Sequence, residues 1–86
     1  MSHDHTRTLN HIFAHPVSMN IKWNEVTHLI NSLGGTVESA HGGREKIRLN
    51  GQERTFHVPH GKAIDSKDEV VQLRKFLELA GVAPKT

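Results

Sequence analysis

The sequence predicts an α+β domain with an α-β-β-β-α core, a three-stranded antiparallel sheet carrying two helices on one face. Three observations predict it. Apolar residues at Trp23, Val26, Leu29, Ile30 and Leu33 recur at helical spacing. Three short alternating stretches follow, joined by glycine-containing turns. A second helical stripe runs through Val70, Leu73, Phe76, Leu77 and Ala80.

The 86 residues suffice for one compact core, and no repeat, low-complexity tract or linker argues for a second domain. Residues 1–19 read as an N-terminal extension and residues 20–83 as the domain proper. Cysteine is absent, so neither disulfides nor thiolate metal sites reinforce the core, as suits a reducing cytosol. No apolar run approaches the roughly 20 residues of a membrane helix, and Met1 to Asn10 is polar. The expectation is a cytoplasmic protein without membrane contact. A net charge of +2 is too small to argue for nucleic acid by itself, so the placement of the cations decides.

From Thr6 to His15, Leu9, Ile12 and Phe13 suit a short helix or packed arm before Pro16. The helix over Lys22 to Leu33 stops at Gly34-Gly35. Strands are expected over Thr36–Ala40, Glu45–Leu49 and Glu53–Val58, with His41-Gly42-Gly43-Arg44 and Asn50-Gly51 as their connections. Period-two counting turns Ile47, Leu49, Phe56 and Val58 inward and Arg44, Lys46, Arg48, Thr55 and His57 outward. Pro59 ends the third strand; Ser66 and Glu69 form the pattern of a capping box, and Gly81 ends the last helix. Trp23, Leu29, Ile47, Phe56, Val58, Leu73 and Leu77 are the expected core.

Arg44, Lys46 and Arg48 on the helix-free face are candidate phosphate ligands. His57 and His60, at the end of the third strand, and Lys62 beyond them extend this RNA-binding set. An uncovered antiparallel face is polar in any case, and Glu38, Glu45 and Glu53 lie near enough to dilute its field. Cleavage of RNA requires removing the 2′-hydroxyl proton, stabilising the phosphorane and protonating the leaving 5′-oxygen. His57 and His41 are the imidazoles near enough to attempt it. With eight histidines in the chain, one beside a basic patch is weak evidence. His11 and His15 would share a helix face, but two nitrogen ligands make a poor zinc site, and His3 and His5 have the look of adventitious ligands. No metal or other cofactor is expected. Trp23 lies on the stripe of Val26 and Ile30, so it reads as core rather than as a base-stacking platform, and the glycine pairs read as turns rather than a phosphate loop.

The stretch from Asn20 to Val82 contains a helix ending in Leu33-Gly34-Gly35, the hairpin His41-Gly42-Gly43-Arg44, and Val58-Pro59-His60-Gly61-Lys62 ahead of a helix ending Leu79-Ala80-Gly81-Val82. On these residues it resembles the HicA family of bacterial toxin-antitoxin toxins. The resemblance implies a double-stranded-RNA-binding-domain-like fold, metal-independent mRNA cleavage and neutralisation by a HicB-type antitoxin. One departure bears on the chemistry. The family's catalytic histidine belongs to a Gly-Ser-His motif at the hairpin, where this chain reads Gly42-Gly43-Arg44. Arginine stays protonated and binds phosphate but cannot act as a general base. Two readings stay open: a HicA-like toxin, weakened or using another histidine, and a non-catalytic RNA- or protein-binding module of the same fold.

Overall fold

In a computed structural model, described here for residues 3–16, 21–59, 63–64 and 66–84, the chain is an α+β domain. Its elements run α1 (His3–Ile12), β1 (Ile21–Lys22), α2 (Trp23–Ser32), β2 (Thr36–Ala40), β3 (Arg44–Leu49), β4 (Gln52–His57), β5 (Ala63–Ile64) and α3 (Lys67–Leu79). β2, β3 and β4 form an antiparallel meander in that order. β1 and β5 pair separately, Ile21 opposite Ile64.

Alternation along the meander separates two chemistries. Ile47, Leu49 and Phe56 are buried in one cluster with Trp23, Val26, Leu29 and Ile30 of α2 and Val70, Leu73, Phe76 and Leu77 of α3. Both helices therefore cover the same sheet face, as the two apolar stripes require. Phe56 sits between Trp23 and Phe76, with ring centroids 6.1 Å from each and the Phe76 ring edge-on. Trp23 is core, and its indole N–H donates to the Glu45 carboxylate at 2.6 Å.

Both main helices end on glycine for the expected reason. Gly34 and Gly81 adopt φ of 90° and 80°. Their amides, and those of Gly35 and Val82, bond back to the last carbonyls of α2 and α3 in the Schellman pattern. Gly35 has a further duty: a Cβ there would lie 2.4 Å from the Arg48 carbonyl oxygen and 2.7 Å from Ile30 Cγ2. Its bareness lets the end of α2 rest directly on β3.

Several details differ from the sequence reading. Val58 is half-buried rather than core, because β4 ends at His57 and Val58 is held to the hairpin turn by its N–H on the Gly43 carbonyl. The capping box does not form. Ser66 is the N-cap, and its carbonyl accepts from the Val70 N–H, but its hydroxyl makes no capping bond; Glu69 instead lines a recess with His57, Pro59 and Ile64. α1 starts and ends earlier than the spacing suggested, and since it stops at Ile12, His11 and His15 do not share a helical face.

Residues of the N-terminal extension pack on the rest of the domain. Leu9 and Ile12 of α1 belong to the main core cluster, and buried Thr8 donates to Glu25 of α2 at 3.2 Å. Arg74 of α3 reaches the other end of α1, donating to the Ile12 and Ala14 carbonyls and lying over the Phe13 ring. The guanidinium satisfies the Ile12 carbonyl, one of those a helix C-terminus leaves without partners, and the Ala14 carbonyl just beyond the helix.

Candidate nucleic-acid interface

β3 is the middle strand, so its outward residues form the spine of the face opposite the helices. Arg44, Lys46 and Arg48 stand there at alternate positions. The register puts His57 across from Arg44, Thr55 across from Lys46, and Glu53 across from Arg48 on one side. On the other side it puts Ala40, Glu38 and Thr36 across from the same three cations. Directly opposed residues have Cβ atoms about 4.5–5.5 Å apart, so this is a continuous polar surface.

Its charge is graded. Glu53 accepts from Arg48 Nε at 3.0 Å and lies 3.8 Å from Lys46 Nζ. Glu38 is the cross-strand neighbour of Lys46 on the other flank. Arg44 is exposed and has no ion pair among the described residues. Positive charge is therefore least compensated at the hairpin end, where Arg44 and His57 are paired across strands beside the exposed turn of His41, Gly42 and Gly43. Such exposed ion pairs contribute about 0–1 kcal/mol each, so an incoming phosphate competes with Glu53 at small cost.

The structure thus brings Arg44, Lys46, Arg48 and His57 onto one face. His41 lies at the hairpin tip adjoining it. His60 and Lys62 lie outside the described residues. Glu45, expected to dilute the face, does not: it is paired with Phe56 on the helix-covered side, where it accepts from Trp23. Arg54, on that same side, donates to the side-chain carbonyl of Gln72 in α3. Among the described residues no group of three or more His, Asp or Glu is placed to hold a metal, and no helix is long and apolar enough to cross a membrane.

Among the described residues, two concavities flank the cation row. At the hairpin end, the recess lined by His57, Pro59, Ile64 and Glu69 measures about 20 Å³, room for little more than a water molecule. At the opposite end, where β3 turns into β4, an open cleft of about 330 Å³ is bounded by the end of α2 and by residues from Arg48 to Glu53. The sequence reading treated Gly34-Gly35 and Asn50-Gly51 only as turns. That these turns enclose a cleft follows from their meeting in space, for which local sequence gives no signal.

Compared with protein-family models, curated proteins and solved structures, the chain matches none.

Proposed function

We propose that this chain is a HicA-like RNA-binding protein of double-stranded-RNA-binding-like arrangement that works in the cytoplasm. In this reading RNA lies along the outer sheet face, with Arg44, Lys46 and Arg48 on successive phosphates and His57, His60 and Lys62 extending the contact. A HicB-type antitoxin is its protein partner. The observation that carries the reading is the cation row on the middle strand of a face that no described element covers, least neutralised at Arg44. Phosphate contacts of this kind position a strand without reading its sequence.

Binding dominates over cleavage in this account. Arg44 occupies the hairpin position at which the family carries its histidine, and a permanent cation there holds the scissile phosphate without moving a proton. A positioned acid-base group is worth about 100- to 10,000-fold in rate, so the wild type cuts RNA slowly or not at all, and Arg44→His with Gly43→Ser restores cleavage or growth toxicity. This favours the non-catalytic module over an active toxin. Efficient cutting by pure wild type, lost in His57→Ala, would instead establish His57 as the relocated base.

The direct test is RNA affinity at fixed low salt. Alanine at Arg44, Lys46 and Arg48 together should abolish binding, while Glu53→Gln, which frees two of the cations, should tighten it. Unchanged affinity in both variants would remove RNA from this face.

A further inference from the structure

We propose that the cleft at the β3–β4 turn is a pocket for one unpaired nucleobase. The inference deepens the RNA reading and rests on it for the strand that would present the base, but its chemistry stands on the cleft itself. Arg48 is shared. It belongs to the cation row and also lines the cleft, so a strand held along the row has its next base beside the opening.

The size is at the lower end of the range for small-molecule sites, about 300–1,000 Å³. Arg48 and Glu53, one charge of each sign, both line the cleft, with Arg48 Nε 3.0 Å from the Glu53 carboxylate. A neutral, hydrogen-bonding ligand suits such a wall better than an anion. The Arg48 guanidinium at the cleft edge is a planar surface of the kind on which splayed RNA bases stack. Asn50 is fixed: its side-chain N–H donates to the Ala80 carbonyl at 2.8 Å, which leaves its carbonyl oxygen to accept from a base. Gln52 is half-buried in the lining, and its side-chain amide has no hydrogen-bond partner among the described residues. An acceptor at Asn50 with a donor and acceptor at Gln52 can pair with the donor-and-acceptor edge of an unpaired base. Open space where Gly34 and Gly51 would carry a Cβ keeps the mouth clear.

The test uses the full chain and free nucleosides, which lack phosphate and so do not depend on the cation row. In amide-resolved NMR titrations, adenosine, cytidine or uridine should shift the backbone signals of Gly34 and Gly51 and the side-chain amide of Gln52, and ribose without a base should not. Gln52→Leu, which keeps the volume, should weaken that binding about 5- to 100-fold. A single abasic position in an RNA octamer should lower wild-type affinity by a similar factor and leave Gln52→Leu indifferent. If no nucleoside moves these signals, or if Gln52→Leu responds as wild type does, the pocket is refuted even where RNA still binds with strong salt dependence. If nucleosides fill the cleft while RNA fails to bind the cation row, the pocket stands and the phosphate reading falls.

Discussion

Phe56 links the inner sheet face to both helices through its packing against Trp23 and Phe76. Its replacement by alanine should cost about 3–5 kcal/mol, measured by denaturant unfolding, since a buried aromatic leaves a cavity its rigid neighbours cannot close. A loss below about 0.5 kcal/mol would take Phe56 out of the core and reverse the strand register. This residue was legible from alternation alone, as was Trp23 from its helical stripe. Glu45 and Glu53 were not separable by composition. Strand parity sends one to Trp23 and the other to Arg48, and only the register tells how their carboxylates are used. The capping box failed for a similar reason: the Ser-x-x-Glu pattern is local, whereas Glu69 lines a recess made with β4 and β5.

At the scale of elements, the glycine-ended helices were readable because φ near +80° to +90° excludes most side chains. Gly81 and Gly35, each just past a helix end, nevertheless differ in kind. Gly81→Ala meets open space and should cost only the left-handed conformation, about 1–2 kcal/mol. Gly35→Ala drives a methyl into the Arg48 carbonyl and Ile30. It should cost at least as much and should also shift amide signals along β3, an effect absent in Gly81→Ala. The two-residue strands β1 and β5 were invisible, since a dipeptide has no periodicity to read. α1 was visible as a short helix or packed arm, but its tie to α3 was not, because that tie is made by Arg74, 60 residues away from Ala14 in sequence. Arg74→Met retains the apolar stem while removing the donors. Hydrogen exchange at the Phe13 and Ala14 amides should accelerate in that variant with the exchange of α2 unchanged; equal protection in both proteins would mean that packing of Leu9 and Ile12 alone holds α1.

For the molecule as a whole, the fold divides labour between faces: one side of the sheet closes the core, and the other displays Arg44, Lys46 and Arg48. The alternation that made this division readable left the charge gradient hidden, since pairing with Glu53 depends on side-chain geometry. The most direct test of the central claim is therefore the salt dependence of binding to single-stranded RNA. Each phosphate neutralised contributes a slope of about −0.7 in log affinity against log salt, so three cations predict about −2 for the wild type. The account predicts that alanine at Arg44, Lys46 and Arg48 together removes that slope with the affinity. Identical slopes and affinities for the two proteins at every salt concentration would contradict it.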